Sequence, residues 1–472
     1  MAGVESQGQL TRRLAEFVVQ SRWANVPSDA RHETVRALLH WVGCATGGCR
    51  HESVERALRA TQALRAPGEV HLFGRVEQVN AMHAAFLNGL SSHVLDFDDT
   101  QLGVTNIHPS GPVAAALFAL AELQRVSGET LLHALLLGIE VECRIANAVY
   151  ARGNRGWHVT GAVGMFGAAA ACGKVLGLDT RRMAWALGIA ATQVVGLREM
   201  FGSMCKSLHV GRSAENGLLA ATLAAEEFTS GNAPLEGEHG FARVVADAPD
   251  LERMLAGLGA RYEISRLSYK PFACGIVIHP TIDACLQLRR ERGLAADEIE
   301  QIRLRVHPDV LTATGKWEPH TGLEGKFSVY HAAAVAVIEG IGGEAAFSDQ
   351  RVTDPRVTAL RKHVSAEADP SIRKDEVRVT VLLKSGTMLE KHVEHAIGSV
   401  ERPLSDGDLE DKFRGLAKEI LDPAQVDRLL GLCWNLEGRA DAGELARAAA
   451  VGLKARGLAS AVTGPSIRAQ DV

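Results

Sequence analysis

The fold class of this chain is indicated most directly by the stretch Gly161-Ala-Val-Gly-Met-Phe-Gly-Ala-Ala-Ala-Ala-Cys-Gly-Lys-Val-Leu-Gly177. Its centre is a run of four alanines, Ala168 to Ala171, with further small residues on both sides. Alanine has the highest intrinsic helix propensity, and short side chains allow neighbouring helices to approach closely. The segment therefore predicts a helix of little side-chain bulk that is buried among other helices.

Apolar residues at helical spacing extend this prediction to most of the chain. Leu10, Leu14 and Phe17 recur three or four positions apart, which places their side chains on one helix face. Similar patterns predict helices over 8–47, 79–95, 112–127, 129–149, 161–176 and 211–228. After Pro403 they return at 406–419, 423–431 and 441–456.

The sequence changes in character near residue 262. Gln301-Ile-Arg-Leu-Arg-Val306 and Val377-Arg-Val-Thr-Val381 alternate between apolar and polar residues, the period of a half-buried strand. The second segment leads through Gly386 into Met388-Leu-Glu-Lys-His-Val393, which predicts a hairpin with the glycine in its turn. Helical patterns at 279–292 and 327–340 lie between the strands.

These patterns predict a mainly α protein in which a smaller α+β domain is inserted into a large all-helical domain. A chain of 472 residues exceeds the length that one hydrophobic core ordinarily serves. We expect the helical domain to comprise 1–262 and 404–457, and the α+β domain, a lid, to comprise 263–403. The remainder, 458–472, is predicted to be a flexible tail.

Composition excludes several classes of partner. The 51 basic and 56 acidic residues give a net charge of −5, whereas nucleic-acid binding calls for a basic face. No uncharged apolar run reaches the ~20 residues of a membrane span, and charges throughout the first 30 residues argue against a secretory signal. The 8 cysteines form no C-x-x-C pair, which favours reduced thiols and a cytoplasmic location.

The first candidate site lies in Asn88-Gly-Leu-Ser-Ser-His-Val-Leu-Asp-Phe-Asp-Asp-Thr100. Asp96, Asp98 and Asp99 place three carboxylates within four positions, and such groups repel one another unless water, cations or donors compensate. The cluster is compatible with a solvated helix end, a catalytic carboxylate or a metal site. It also matches the short D-x-D-D pattern of one class of terpene cyclase.

Two histidines stand before predicted helices. His108 precedes Pro-Ser110-Gly-Pro, in which Ser110 can cap the helix that follows. His158 stands close to the start of the alanine-rich helix. Free N–H groups at a helix start attract anions, so either imidazole could bind or protonate a carboxylate. The alternative is an incidental histidine in a capping turn or in the core.

Two lysines complete the set of candidates. Lys206 precedes an apolar helix, and Lys270 stands in Tyr-Lys-Pro-Phe near the predicted domain boundary. Either could anchor an anion in a cleft between domains, where small ligands commonly bind, although a surface lysine and a plain linker are the ordinary alternatives. Nucleotide fingerprints, G-x-S-x-G and H-E-x-x-H are absent from the sequence.

Taken in order along the chain, these motifs resemble the MmgE/PrpD family. The resemblance covers about 8–455 and includes the late segments Gly398…Arg402-Pro-Leu-Ser405 and Lys412-Phe413. The family includes 2-methylcitrate dehydratase, cis-aconitate decarboxylase and an iminodisuccinate epimerase. The resemblance implies a helical domain with a smaller lid, a homodimer, a small anionic carboxylate as substrate, and no metal or organic cofactor.

The resemblance also implies the site residues, which are Asp96, Thr100, His108, His158, Lys206, Lys270 and Tyr330. We expect Lys206 and Lys270 to bind carboxylate oxygens, and Thr100 and Tyr330 to bind other parts of the substrate. His158 is the expected proton donor or acceptor with His108 as its partner, while Asp96 orients a histidine or a lysine. The acidic motif Phe-Asp-Asp-Thr differs from the Phe-Asn-Asp-Thr of the dehydratases, which favours another member of the family.

The predicted function is a cofactor-independent lyase that transfers a proton next to a carboxylate of a small di- or tricarboxylic acid, as a dehydratase or a decarboxylase. The alternative is an epimerase of a dicarboxylate such as an iminodisuccinate-like compound. A remote alternative is a metal-dependent helical lyase that uses Asp96, Asp98 and Asp99. The last alternative is a non-enzymatic helical scaffold, which would lack a polar cleft.

Overall fold

The structure, a computed structural model, describes residues 9–64, 67–102 and 104–451, so the predicted tail 458–472 lies outside the described residues. The first part of the chain is helical, as predicted. Its helices are α1 (Leu10–Gln20), α2 (Ser28–Gly48), α3 (Glu52–Ala63), α4 (Ala81–Val94), α5 (Ser110–Ala121), α6 (Gly128–Val149), α7 (Val159–Val175), α8 (Thr180–Ala191), α9 (Cys205–Ala225) and α10 (Phe241–Val245). Two small antiparallel hairpins, β1–β2 (Val70–His71, Gln78–Val79) and β3–β4 (Gln101–Leu102, Asn106–Ile107), connect some of them.

Helix α7 contains the alanine-rich stretch and is buried among other helices, which confirms the prediction. Its residues from Val159 to Gly173 are all buried, and it packs against α5, α6, α8 and α9. Small residues make these contacts close. At Gly217 of α9 an added Cβ would lie 2.3 Å from the Cβ of Ala168 and 2.7 Å from the carbonyl oxygen of Met165.

Three helices near the end of the described chain return to this helical core. Leu409 and Phe413 of α17 pack with the first helices, and a Cβ added at Gly43 of α2 would lie 3.1 Å from the ring of Phe413. The predicted helical domain is therefore built from both parts of the chain that flank the strands. The helices within and after the inserted part are α11 (His279–Arg292), α12 (Pro308–Thr314), α13 (Gly322–Gly325), α14 (Val329–Glu339), α15 (Asp349–Val352), α16 (Pro355–Arg361), α17 (Asp406–Ala417), α18 (Pro423–Trp434) and α19 (Gly443–Ala449).

The inserted part contains one four-stranded sheet in the order β6-β5-β7-β8. The strands are β5 (Ile299–Val306), β6 (Val364–Ala368), β7 (Val377–Leu383) and β8 (Met388–Val393). The hairpin β7–β8 turns at Gly386 as predicted, and the φ of +82° at this glycine is one that other residues rarely adopt. Strand β6 pairs parallel to β5 and was not predicted, because its sequence Val-Ser-Ala-Glu-Ala is poor in β-branched and aromatic residues.

Helix α4 connects the two hydrophobic cores. Ala84 and Leu87 in its first half belong to the helical core, whereas Leu90 and Val94 pack in the core beneath the sheet. The acidic motif that follows α4 therefore lies where the two cores meet. The domain boundaries near 262 and 404 remain predictions. Among the residues that the structure describes, no helix combines the length and apolar character that crossing a membrane requires.

We predict that Gly217→Ala lowers the free energy of unfolding by about 1–3 kcal/mol, because the added methyl group overpacks the contact between α7 and α9. The matched control is Gly415→Ala in α17, where an added Cβ meets no atom within 4 Å. That substitution is expected to raise stability by up to about 1 kcal/mol, since alanine favours the helix. Urea denaturation of both variants measures the difference. Wild-type stability of Gly217→Ala would contradict close packing at this contact.

Candidate active site

The centre of the site is the carboxylate of Asp96, which receives two ammonium groups. Lys206 Nζ, in the first turn of α9, donates to Asp96 Oδ1 at 3.0 Å. Lys270 Nζ donates to the same oxygen at 2.7 Å and to the Asp96 carbonyl oxygen at 3.1 Å. Asp96 itself has a φ of +49°, an uncommon left-handed conformation that aspartate tolerates better than most residues. The structure thus brings together three of the predicted site residues.

The two lysines retain capacity to bind an anion. Although burial of the carboxyl group opposes ionisation, Lys206 and Lys270 hold the pKa of Asp96 well below its usual range. Lys206 and Lys270 each use two of their three N–H groups on described residues. Asp96 Oδ2 is buried without a hydrogen-bond partner among the described residues. One N–H group on each lysine therefore remains for a ligand.

Asp98 connects two histidines behind the lysines. His93 Nδ1 lies 2.6 Å from Asp98 Oδ2, and His108 Nδ1 lies 3.3 Å from Asp98 Oδ1. Because Lys206 Nζ donates to His93 Nε2 at 2.7 Å, His93 carries its proton on Nδ1 and donates it to Asp98. Burial and the nearby Lys206, against the opposing charge of Asp98, lower the pKa of His93 to about 3, so this imidazole is neutral.

His93 was not among the predicted site residues. It stands in the last turn of α4, five positions before Asp98. No regular spacing indicates this contact, because the chain reverses through the left-handed Asp96 between the two residues. Only the turn brings the imidazole and the carboxylate together.

His108 lines the cavity and presents one ring nitrogen to it. Its Nδ1 lies 3.0 Å from the carbonyl oxygen of Asp99 and 3.3 Å from Thr100 Oγ1, so Nε2 is the nitrogen left for a ligand. Its backbone N–H donates to Thr160 Oγ1 at 3.0 Å. Burial lowers the pKa of His108. The Thr100 hydroxyl is buried beside this imidazole and is not part of the cavity wall.

His158 stands at the N-cap position of α7, although its side chain makes no capping hydrogen bond. Its Nδ1 lies 3.1 Å from His209 Nδ1, and its buried Nε2 has no hydrogen-bond partner among the described residues. Burial and the charge of Lys206 hold the pKa of His158 well below its usual range. The rings of His108 and His158 have centroids 6.4 Å apart. The cavity wall therefore carries two neutral imidazoles and two ammonium groups.

The third aspartate of the motif, Asp99, does not line the cavity. Helix α5 begins at Ser110. Ser110 is therefore the first residue of the helix and not the N-cap that the sequence predicted. Its hydroxyl instead donates to Asp99 Oδ2 at 2.8 Å. Burial and the neighbouring Asp98 raise the pKa of Asp99 to about 7. All three aspartates are buried, which rules out the solvated helix end.

A cavity of about 470 Å³ opens over these groups, a volume suited to a small ligand. Its inner wall contains Asp96, His108, His158, Lys206 and Lys270. Arg152, Arg198 and Lys374 add further positive charge, and Asp309 pairs with Lys374 at 2.9 Å. The sequence did not indicate these three cations, because they lie in turns and in a short 3-10 helix (Arg198–Met200) that only tertiary structure brings to the cavity.

Tyr330, the remaining predicted residue, does not line the cavity. It is half-buried at the start of α14, and its ring packs edge-on against Trp317 with centroids 4.5 Å apart. Its role in substrate binding stays a prediction.

The arrangement bears on the metal-dependent alternative. His93, His108 and His158 could each direct one nitrogen to a common point, and so could a ligand atom from each of Asp96, Asp98 and His108. The ammonium group of Lys206, however, lies within hydrogen-bond distance of both His93 and Asp96. A divalent cation would have to displace that ammonium group and overcome its repulsion.

Comparisons with known proteins agree with this arrangement. Residues 12–254 match the MmgE/PrpD N-terminal domain, and residues 272–436 match the MmgE/PrpD C-terminal domain. Cis-aconitate decarboxylase of Aspergillus terreus is 28% identical, covering 93% of this chain and 96% of the fungal protein. The cis-aconitate decarboxylases of Mus musculus and Homo sapiens are each 31% identical. The mouse alignment covers 87% of both chains, and the human alignment covers 76% of this chain and 77% of its relative.

These matches define the protein as a lyase. The chain belongs to the MmgE/PrpD family, as its motifs predicted.

We predict that Asp99→Asn makes the protein more stable than the wild type at neutral pH. Because folding raises the pKa of Asp99 from 3.8 to about 7, the folded protein binds this proton more tightly than the unfolded chain. The stability gained from that proton is complete below the unfolded value and is lost as the pH rises through about 7. The advantage of the variant should therefore grow with pH and level off on the order of 4 kcal/mol above that point.

Urea denaturation between about pH 5 and pH 8 measures this difference. Asp179→Asn is the control, since Asp179 caps an exposed helix start and hydrogen bonds from Arg182 lower its pKa. The control should show no trend over this range, because its transition lies at lower pH. A stability difference for Asp99→Asn that is flat with pH would show that Asp99 is ionised throughout.

Proposed function

We propose that this chain is a cofactor-independent decarboxylase that binds a small di- or tricarboxylic acid through Lys206 and Lys270. One observation carries the proposal: two ammonium groups, each with an N–H group to spare, face the same cavity as two neutral imidazoles. Preorganised cations in an enclosed site bind carboxylate oxygens strongly and stabilise charge that develops there. The names of the relatives make cis-aconitate the first substrate to test.

The histidines supply the proton that decarboxylation requires. In an unsaturated acid such as cis-aconitate, the bond to the departing CO2 breaks and its electron pair forms a new carbon–carbon double bond. The electron pair of the original double bond moves to the carbon at its far end, and this carbon takes the proton. Negative charge on a bound substrate raises the pKa of a nearby imidazole, so His158 or His108 becomes protonated in the complex and donates that proton.

Dehydration and epimerisation remain the alternative reactions of the same groups. Both begin when a base removes a proton next to a carboxylate, and a neutral imidazole is suited to that role near neutral pH. Lys206 and Lys270 would stabilise the resulting enediolate-like carbanion at the carboxylate oxygens. The fate of the carbanion, either loss of hydroxide or reprotonation from the opposite face, separates the two reactions.

The proposal predicts turnover by metal-stripped protein in D2O, followed by proton NMR. Cis-aconitate should lose CO2 and gain one deuterium in the product, with EDTA having no effect. The other acids to test are citrate, 2-methylcitrate, iminodisuccinate and malate. His158→Ala should lower kcat by about 10²- to 10⁴-fold, the usual contribution of general acid–base catalysis. His133→Ala is the control, since this histidine bonds Ser21 in the helical core.

Each result assigns the reaction. Exchange without loss of CO2 would replace decarboxylation by one of the two alternative reactions. Activity that appears only after a divalent metal is added would refute the cofactor-independent mechanism. Normal kcat in His158→Ala would remove this histidine from the chemistry.

We further propose that Arg198 binds a second carboxylate of the substrate from the outer wall. Arg198 is half-buried at the cavity and has no salt-bridge partner among the described residues. We predict that Arg198→Gln raises KM for a tricarboxylate by about 10- to 100-fold, since a charge-assisted hydrogen bond contributes about 1.5–3 kcal/mol. Because Arg198 makes no hydrogen bond to Asp96 or to either of its lysines, kcat should change little. Arg181→Gln, at an exposed position of α8, is the control and should leave KM unchanged. An unchanged KM in Arg198→Gln would contradict this role.

A further inference from the structure

Two lysines outside the cavity wall hold the backbone of the site. The first is Lys326, at the end of α13, which is buried. Its ammonium group donates to the carbonyl oxygens of Leu95 at 2.8 Å and Ala273 at 3.0 Å, and to Glu344 Oε2 at 2.6 Å. All three N–H groups of Lys326 are therefore used within the protein.

The second is Lys412, on α17. Its ammonium group donates to the carbonyl oxygens of Phe97 and Lys270, each at 2.6 Å, and to His40 Nε2 at 2.7 Å. It also lies 3.6 Å from the centroid of the Phe97 ring, close enough for a cation–π contact. Lys412, like Lys326, thus uses all three donors on groups of the protein and keeps none for a ligand.

The four carbonyl groups that these lysines bind lie in two short segments of the chain. Leu95 and Phe97 stand immediately before and after Asp96, so the lysines hold the chain on both sides of the residue with the left-handed backbone. Lys270 and Ala273 belong to the segment that carries the second ammonium group of the site. Each lysine therefore joins the Asp96 segment to the Lys270 segment.

We propose that Lys326 and Lys412 are positioning residues that together form a backbone clamp, fixing Asp96 and Lys270 in the geometry needed for the reaction. Hydrogen bonds from ammonium groups are stronger than those between neutral groups. A strained backbone conformation persists only where its surroundings hold it firmly. The clamp supplies that hold from two directions, since Lys326 comes from the part with the sheet and Lys412 from the returning helices.

The clamp explains why lysines are placed where they do not contact substrate. A neutral side chain could fill the same space, but it would not join two carbonyl groups from separate segments with strong donors. Loss of one lysine leaves two buried carbonyl groups without their donors, and the segments can then shift. A displacement of about 1 Å at a reacting group can cost 100-fold in rate.

The test compares Lys326→Met and Lys412→Met with Lys174→Met. Lys174 is a matched control, because its ammonium group also donates to three backbone carbonyls, in segment 18–21 far along the chain from the site. The clamp variants should lose about 10- to 100-fold in kcat at saturating substrate. The control should lose thermal stability but keep kcat within about two-fold of the wild type. A change in kcat of that size is too small to indicate misplaced reacting groups. Clamp variants with normal kcat would overturn the proposal.

Only this kinetic comparison rests on the proposed function. Hydrogen exchange provides a readout that needs no substrate. Peptides that include 93–100 and 268–275 contain hydrogen-bonded amides, among them those of Thr100 and Ser268, which donate to each other's carbonyl oxygens. Exchange in both peptides should accelerate in the clamp variants but not in Lys174→Met. Unchanged exchange would overturn the clamp whether or not a substrate is found. If a methionine variant does not fold, the Lys→Gln variant at the same position takes its place, since the amide NH2 group of glutamine can still donate hydrogen bonds.

Discussion

The ion pairs of Asp96 with Lys206 and Lys270 are the interaction on which the rest of the site depends. Removing such groups from water costs several kcal/mol per ion, and pairing offsets that cost only where the geometry is good. Here one carboxylate faces two ammonium groups, so the trio carries excess positive charge. Hydrogen bonds to His93 and to the backbone carbonyl of Asp96 distribute that charge, and a bound carboxylate would complete its compensation.

Burial and this positive charge together keep the histidines of the site neutral. Lys206 lies close to His93 and contributes, after burial, to the lowered pKa of His158. Without a ligand, the imidazoles remain neutral because protonation would add charge to an already cationic, water-poor space. A bound anion would have the opposite effect, because its negative charge raises the pKa of a nearby imidazole. Under the proposed function, binding of an anionic substrate would therefore also protonate the histidine that donates the proton, and an empty site would lack that proton.

The sequence predicted the fold from features that are local. Alanine-rich α7 and the hairpin at Gly386 depend on propensity and turn chemistry, which neighbouring residues determine. Asp96, His108, His158, Lys206 and Lys270 were identified with the help of family motifs, and the structure brings them together at one cavity. His93, Arg198, Lys326 and Lys412 were not identified as site residues. Their partners lie across turns or in distant segments, so no periodicity in the sequence marks them.

The division of the site between the two parts of the chain has a consequence for its evolution. Asp96 and Lys206 fall within the match to the N-terminal family domain, whereas Lys326 and Lys412 fall within the C-terminal match and Lys270 lies between them. Neither matched domain contains all of these residues, so an exchange of one half with a distant relative would unite segments that had not adapted to each other. Recombination within this gene is therefore constrained, and its two halves are expected to diverge together as a single unit of selection.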